Sequence, residues 1–155
     1  MKKTMILFAL IAALTTTQAN AQKGSGQSYN TALGVKVWDG AGISLKHFVA
    51  PNAALEGIGY FWNRGARITG LYEFHNPING APGLKWYVGP GAHIGIYNTK
   101  YGGQSFAGLD GVLGLDYKFY GAPINMSLDW QPSFEFGDNR GFIGSWGGLG
   151  IRYTF

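Results

Sequence analysis

The stretch from Ile124 to Phe136 reads INMSLDWQPSFEF and alternates apolar and polar residues along its whole length. One alternating set is wholly apolar: Ile124, Met126, Leu128, Trp130, Pro132, Phe134 and Phe136. The other set is wholly polar: Asn125, Ser127, Asp129, Gln131, Ser133 and Glu135. Because only an extended strand has a side-chain period of two, the stretch predicts a β-strand with two chemically different faces.

The length of this strand raises the question of which solvent its apolar face contacts. An ordinary strand has roughly five or six residues, whereas a tilted strand that crosses a membrane needs about 9 to 11. The stretch from Ile124 to Phe136 is long enough for the second case.

The amino terminus has the organisation of a secretory signal. Lys2 and Lys3 form a basic segment, residues 5–14 are mainly apolar, and Ala19-Asn20-Ala21 is a small-x-small cleavage site. We therefore predict a cleaved signal peptide at 1–21, a flexible leader at 22–28 that is rich in Gly, Ser and Gln, and a barrel domain at 29–155.

The carboxyl terminus also alternates. Leu149, Ile151, Tyr153 and Phe155 lie on one face of a predicted strand, and Gly148, Gly150, Arg152 and Thr154 on the other. A last strand that ends in a free aromatic residue resembles the C-terminal signature of outer-membrane β-barrel proteins. The resemblance implies that Tyr153 and Phe155 form the signal read by the barrel-assembly machinery, and that this machinery is a partner.

Composition limits the class of protein. Charged residues make up 13% of the chain, against about 25% in soluble domains, and cysteine is absent, so we expect neither disulfides nor a lipid anchor on cysteine. Removal of Lys2 and Lys3 lowers the net charge from +4 to +2, which is too small to favour nucleic acid. No apolar run after the signal reaches the roughly 18 residues of a membrane helix, so a membrane protein of this sequence has to be a closed barrel.

The alternation and the turn residues predict eight strands. They are Tyr29–Trp38, a second strand containing Ile43 and Leu45, Ala53–Trp62, Arg67–His75, Leu84–Tyr97, Phe106–Tyr120, Ile124–Phe136 and Phe142–Phe155. Eight is the smallest strand number among bacterial outer-membrane barrels. Pro90 and Pro132 lie inside strands, and we expect each to mark a bulge or a position above the membrane, because proline removes a ladder donor.

The charged residues predict which face lies inside. Eleven of them share the strand face opposite the larger apolar set: Lys36, Lys46, Glu56, Glu73, Lys85, Asp110, Asp116, Lys118, Asp129, Glu135 and Arg152. Arg67 is expected at the rim of this face. Six acids then meet six bases, as ion pairing inside a protein requires. An eight-stranded barrel has room inside only for side chains or one small ligand, so the large apolar set is predicted to face lipid.

Aromatic residues are predicted to form two girdles at the membrane surfaces. One girdle contains Trp86, Tyr117, Phe119, Tyr153 and Phe155, and the other contains Phe61, Tyr97, Trp130, Phe134 and Phe136. Trp38, Trp62 and Trp146 fall in the inward register and are candidates to plug the lumen.

These features together resemble the small eight-stranded outer-membrane barrels of the OmpA-domain and OmpX type. The resemblance covers the mature chain and implies an all-β fold: an eight-stranded antiparallel up-and-down transmembrane barrel with a polar lumen filled by side chains. It also implies location in the outer membrane of a Gram-negative cell, contact with outer-membrane lipid, and a monomer. The outer loops are short here and long in that family, which argues against adhesive or receptor roles.

The function expected from the sequence is that of a structural or binding barrel, without catalysis, cofactor, metal or open pore. Two alternatives stay open. The first is a small outer-membrane protein that acts on lipid as an enzyme or transports small apolar molecules. The second is a soluble ligand-binding barrel of the lipocalin type. An enzyme of this architecture needs a nucleophile and a base in contact. The nearest candidates are His93 with Ser105, Ser133 or Ser145, and no motif links them.

Overall fold

A computed structural model describes residues 29–136 and 140–155. In these residues, alternating segments form ten strands. They are β1 (Thr31–Val37), β2 (Ala41–Ala50), β3 (Ala53–Trp62), β4 (Gly65–Pro77), β5 (Leu84–Tyr97), β6 (Ser105–Lys118), β7 (Ile124–Trp130), β8 (Ser133–Phe136), β9 (Phe142–Ile143) and β10 (Gly147–Thr154). A single 3-10 turn, Thr99–Tyr101, follows β5. No helix in the described ranges is long and apolar enough to cross a membrane. The predicted signal peptide at 1–21 and leader at 22–28 lie outside the described residues.

The strands close into an antiparallel barrel of eight. Each of β1 to β6 pairs with the next strand along the chain, β6 pairs with β7, and β7 pairs with β10. β10 then pairs with β1, from Ala32 opposite Thr154 to Val37 opposite Leu149, which closes the circle. β7 and β8 pair with β6 in one continuous register, and β9 pairs with β8. β7 with β8, and β9 with β10, therefore each form one strand of the barrel, so the ten segments make eight barrel strands, which we call staves. The predicted eight-stranded antiparallel barrel is confirmed.

Several strand limits differ from the predicted ones. β3 and β5 match residue for residue, but the first strand begins at Thr31 rather than Tyr29, the fourth extends to Gly65–Pro77, and the sixth ends at Lys118. The predicted last strand is divided between β9 and β10. Strand ends depend on which backbone groups find a partner across the sheet, and a single sequence does not report that pairing.

The predicted strand from Ile124 to Phe136 is interrupted at Pro132. Trp130 pairs with Gly147 and Ser133 pairs with Ile143. Two residues lie between Trp130 and Ser133, but three lie between Ile143 and Gly147. The register between the two strands therefore shifts by one residue. The extra residue belongs to the segment between Ile143 and Gly147, so the irregularity expected at Pro132 lies on the strand that faces it, while the strand of Pro132 keeps its register with β6.

Pro90 behaves differently. It pairs with Gly111 on β6 without a register shift, and on the β4 side the pairs pass from Leu71–Gly91 to Phe74–Val88 in unchanged register. Pro90 therefore does not mark a bulge, and of the two expectations for it the position above the membrane stays a prediction. Between the two β4 pairs, β5 makes no ladder pair with β4 at Gly89 and Pro90, because proline has no N–H to donate.

The two faces of the barrel have opposite chemistry. Lys36, Lys46 and Glu73 are fully buried, whereas Phe61 and Ile68 are 62% and 65% exposed on the outside. One polar face of every long strand thus lines the lumen, and the apolar face forms the outer wall. This order is the reverse of the usual arrangement in soluble proteins.

Candidate functional site: the buried charge network

Glu56 is the centre of the network in the half of the barrel that contains the termini. Its carboxylate pairs with the guanidinium of Arg152 and lies 3.5 Å from Lys36 Nζ and 3.9 Å from Lys46 Nζ. Ser44 Oγ donates a hydrogen bond to Glu56 Oε1 at 2.6 Å. One buried carboxylate is therefore compensated by three cations that come from three different strands.

Arg152 uses its donors on polar groups of neighbouring strands. Its Nε donates to Ser44 Oγ at 2.6 Å, and its Nη1 donates to Ser127 Oγ at 2.8 Å and to Asn125 Oδ1 at 3.3 Å. Gly34 and Gly150 make room for it, because a Cβ on Gly34 would meet the Arg152 backbone and one on Gly150 would lie 2.9 Å from Arg152 Nη1. The planar guanidinium thus joins β2, β3, β7 and β10.

Lys46 links the Glu56 centre to the near end of the lumen. Its Nζ lies 2.8 Å from Glu73 Oε2 and 3.3 Å from Asp116 Oδ2, and it lies 4.4 Å from the centre of the Tyr87 ring. His75 Nε2 is 2.9 Å from Glu73 Oε2, and its ring stacks on Tyr87 at 4.9 Å.

A second branch connects Lys36 with Asp129. Lys36 Nζ lies 2.6 Å from Asp129 Oδ2, Tyr87 Oη donates to the same carboxylate at 2.6 Å, and Gln131 Nε2 donates to Asp129 Oδ1 at 2.7 Å. Tyr87 therefore contacts both branches, because its ring contacts Lys46 and its hydroxyl contacts Asp129.

The far half of the lumen has its own, smaller network. Arg67 pairs with Asp110, and His93 Nδ1 lies 2.9 Å from Asp110 Oδ2. On its other side His93 Nε2 is 3.7 Å from Glu135 Oε1, and Arg140 Nη1 is 3.4 Å from Glu135 Oε2. The chain of contacts thus runs from the buried Arg67 to the partly exposed Arg140 at the mouth of the barrel.

Most of the residues singled out from the sequence meet in these two networks: Lys36, Lys46, Glu56, Glu73, Asp110, Asp116, Asp129, Glu135 and Arg152. Lys118 does not join them, because its Nζ donates to the carbonyls of Phe119 at 3.0 Å and Ala122 at 2.6 Å in the turn after β6. Lys85 is only partly buried and lies at the near-end mouth, 5.8 Å from the centre of the Phe48 ring.

Sequence reasoning placed two other residues wrongly. Arg67 was expected at the rim, but it is buried and pairs with Asp110. Arg67 lies on the same face of β4 as Thr69, Leu71 and Glu73, and this alternation could have predicted that Arg67 faces the lumen. Tyr97 was assigned to the outer girdle, but its ring packs on Phe106 at 4.8 Å and on Trp62 at 6.3 Å inside the mouth. The role of Arg140 was missed, because a residue in a turn has no face that the alternation could assign.

An apolar cluster, which we call the collar, lies inside the lumen. Its buried residues pack together on the inner side of four adjacent strands: Ile58 and Tyr60 of β3, Leu71 of β4, Tyr87 of β5 and Val112 of β6. Trp146 packs against this collar, with its ring 5.7 Å from Tyr60 and 5.4 Å from Trp62. Trp62 and Trp146 thus lie in the lumen mouth as their register suggested, whereas Trp38 is exposed.

Ser133, one of the three serines considered as a nucleophile, makes no hydrogen bond with His93. Ser133 Oγ and His93 Nε2 are both buried, and neither has a hydrogen-bond partner among the described residues. The His93–Asp110 contact has the geometry of a base and its orienting acid, but the hydroxyl is out of hydrogen-bond reach. Within residues 29–136 and 140–155, His, Asp and Glu side chains form no group of three that could hold a metal ion.

A cavity of about 410 Å3 opens at the end of the barrel that contains the termini. Its lining includes Tyr29, Phe48, Lys85, Asp116 and Phe119. Tyr29 precedes β1, and its buried hydroxyl has no partner in the described part of the chain. Burial, with a further contribution from the Asp116 carboxylate, raises the pKa of the Tyr29 phenol well above its usual value. The phenol therefore stays neutral over the physiological pH range.

The last strand presents its terminal aromatic residues outward. Tyr153 and Phe155 are exposed, and their rings lie 5.5 Å apart. The backbone N–H of Phe155 donates to Thr31 O at 2.9 Å, which ties the chain end to the first strand.

Comparison of the chain with protein-family models, with curated proteins and with solved structures finds no match.

Proposed function

We propose that this protein is an integral outer-membrane β-barrel of structural or binding character, with a closed lumen and without catalysis. The observation that carries the proposal is the inversion of the barrel. Large apolar side chains are exposed on every stave, for example Val35, Ile43, Leu109 and Ile151, while the lumen holds the ion pairs. Soluble monomers rarely expose apolar patches beyond a few hundred Å2, and in lipid such a surface is favourable.

Strand length supports the same proposal. β2 to β6 have 10 to 14 residues, and β7 with β8 covers the span from 124 to 136. Strands of about 9 to 11 residues cross the hydrocarbon region when tilted. A closed barrel also has no unpaired sheet edge, which the membrane interior demands.

The location in the outer membrane rests on the two ends of the sequence. Residues 1–21 have the pattern of an export signal, and Phe155 ends an alternating strand. We infer that the barrel-assembly machinery recognises the last strand through Tyr153 and Phe155, which face outward and are accessible.

The lumen argues against a pore and against a soluble carrier. The collar of Ile58, Tyr60, Leu71, Tyr87 and Val112 lies inside it, and ion pairs fill the space in which a lipocalin-type barrel would hold an apolar ligand. Water-filled channels are found in barrels of about 16 strands or more. We expect the purified protein to give no stable single-channel conductance in a planar bilayer; discrete conductance steps would contradict the closed lumen.

Cell fractionation combined with gel migration tests the location. The protein is expected in the outer-membrane fraction, soluble only with detergent, and to migrate faster before boiling than after it, because the barrel resists unfolding by detergent. Recovery in a soluble fraction without detergent would overturn the proposal and favour a soluble carrier.

A substitution at the chain end tests the assembly signal separately. Phe155→Ala should lower the amount of assembled barrel in the outer membrane, because the signal loses its terminal ring. Phe142→Ala is the matched control, since Phe142 is also an exposed phenylalanine of the last stave but lies far from the chain end. Equal assembly of both variants would remove Phe155 from the signal.

Catalysis on lipid is tested by mass spectra of membrane lipids from cells with and without the protein. We expect identical spectra. A change in acyl chains that depends on His93 would favour the enzymatic alternative.

A further inference from the structure

A cavity of about 640 Å3 opens at the end of the barrel opposite the termini, and the proposed function assigns it no role. Aromatic residues Trp38, Trp62, Trp146 and Tyr97 line it, together with polar residues Asp39, Asn63, Arg64, Glu135 and Ser145. We call this cavity the tryptophan cup. Its volume is in the range of small-molecule sites, which is about 300–1,000 Å3.

The aromatic walls of the cup are held in place by contacts within the protein. The Trp62 ring stands nearly perpendicular to Trp146 at 5.4 Å and to Tyr97 at 6.3 Å. Trp38 Nε1 donates a hydrogen bond to Ser145 O at 2.7 Å. These rings are fixed before a ligand arrives, so binding loses little side-chain entropy.

The charges around the cup disfavour a cationic ligand. Arg67 lies 4.6 Å from the centre of the Trp146 ring, and Arg140 lies 5.8 Å from that of Tyr97. The protein's own guanidinium groups thus lie over two of the four rings, Trp146 and Tyr97, and their positive charge near the cup disfavours a second cation there.

A strongly anionic ligand fits no better. The carboxylates of Asp39 and Glu135 line the same cavity, and Glu135 is paired with Arg140 at 3.4 Å. The two other charged residues of the lining, Asp39 and Arg64, have opposite signs. The formal charge that the described residues of the cup present to a ligand is therefore close to zero.

A purely apolar ligand is disfavoured because it would strip water from the carboxylate, amide, guanidinium and hydroxyl groups of the lining without replacing its hydrogen bonds. A neutral sugar satisfies both parts of the cup. The C–H groups on one face of a pyranose ring pack against an indole, and its hydroxyls donate to carboxylates and accept from amide and guanidinium groups.

We propose that the tryptophan cup binds a neutral saccharide. Trp38 and Trp62 supply the packing surfaces, and Asp39, Asn63 and Arg64 hydrogen-bond the hydroxyls. The sugar can be a free oligosaccharide or the headgroup of a glycolipid, since both present the same chemistry. This inference does not rest on the proposed function, because the geometry of the cup is the same in any solvent around the barrel.

Isothermal titration of the purified full-length mature protein in a detergent without a sugar headgroup tests the proposal. The probes are maltotetraose, cellotetraose and chitotetraose, with spermine and tetragalacturonate as charged comparisons. We expect saturable binding of at least one neutral tetrasaccharide, and tighter binding than for either charged probe. Absence of saturable heat with all three neutral probes, or tighter binding of a charged probe, would overturn the proposal.

Variants link the binding to the cup. Trp38→Ala and Asp39→Asn should each weaken the affinity about tenfold, which corresponds to about 1.4 kcal/mol. Trp86→Ala is the matched control, because Trp86 is an exposed tryptophan at the opposite end of the barrel. Asp39→Asn keeps the side-chain shape, so it remains informative if Trp38→Ala does not fold. Equal affinity of the Asp39→Asn and Trp86→Ala proteins would contradict the assignment.

Nanodiscs distinguish the two sources of the sugar. If a glycolipid headgroup occupies the cup, discs that contain a glycolipid with the same headgroup should weaken the apparent affinity for the free tetrasaccharide compared with discs of phospholipid alone. If the natural ligand is a free oligosaccharide, the affinity should be the same in both discs. Failure of membrane fractionation would leave these detergent titrations intact, so the two proposals fail separately.

Discussion

The two charge networks of the lumen differ in connectivity and in whether they reach solvent. In the near half, Glu56 contacts Arg152, Lys36 and Lys46, and all four side chains are fully buried. In the far half, the contacts pass from Arg67 through Asp110, His93 and Glu135 to Arg140, whose side chain reaches solvent. Because a charge without a partner costs more the deeper it is buried, losing a charge should cost most around Glu56, and along the far network the cost should fall from Arg67 and Asp110 toward Arg140. The following predictions test that gradient.

The largest effect is expected at Arg152. Arg152→Met removes the cation closest to Glu56 and leaves Ser44, Ser127 and Asn125 without their donor. The free energy of unfolding should fall by about 3–5 kcal/mol, as for other broken buried pairs. Urea titration in detergent micelles measures it, with Arg140→Met as the control that removes the same side chain at the mouth. A loss no larger than that of the control would abolish the proposed gradient.

Asp110→Asn should have the next largest effect. The amide keeps the shape of the side chain but removes the charge that faces Arg67 and His93. We expect a loss of about 2 kcal/mol, in the range of hydrogen bonds to charged groups. The same urea titration measures it, and a loss as large as that of Arg152→Met would show that both halves contribute equally.

Glu135→Gln should cost less. Glu135 is 3.4 Å from the partly exposed Arg140 and 3.7 Å from His93 Nε2, so water screens part of the interaction. We expect a change within about 1 kcal/mol. If the urea midpoint falls as far as for Asp110→Asn, water does not screen the Glu135 contacts, and the prediction for the mouth of the barrel is wrong.

The smallest effect is expected at Lys118. Its ammonium donates to the carbonyls of Phe119 and Ala122 at the near-end turn, and a glutamine amide is also a donor. Lys118→Gln should leave the urea midpoint unchanged. A clear shift would mean that Lys118 belongs to the network as the alternation suggested.

The alternation was sufficient to predict which residues face inward over most strands. Glu56, Glu73, Asp116 and Arg152 all point to the lumen, because a period of two assigns every second side chain to one face once the strand is recognised. The same rule failed near the strand ends. Lys118 has the inward register but bonds the turn, and Arg140 reaches the lumen mouth from outside any strand.

The amino-acid sequence by itself determined the strand number, the closed barrel and the exchange of polar and apolar faces, because these follow from local periodicity and from the need to bury charges in pairs. Only the tertiary structure decided which acid meets which base, where Pro90 and Pro132 interrupt the ladders, and that the tryptophans of three separate segments form one cup. These features depend on the registers between strands that are distant in sequence and on their close approach across a narrow lumen. Periodicity along one strand contains no information on either.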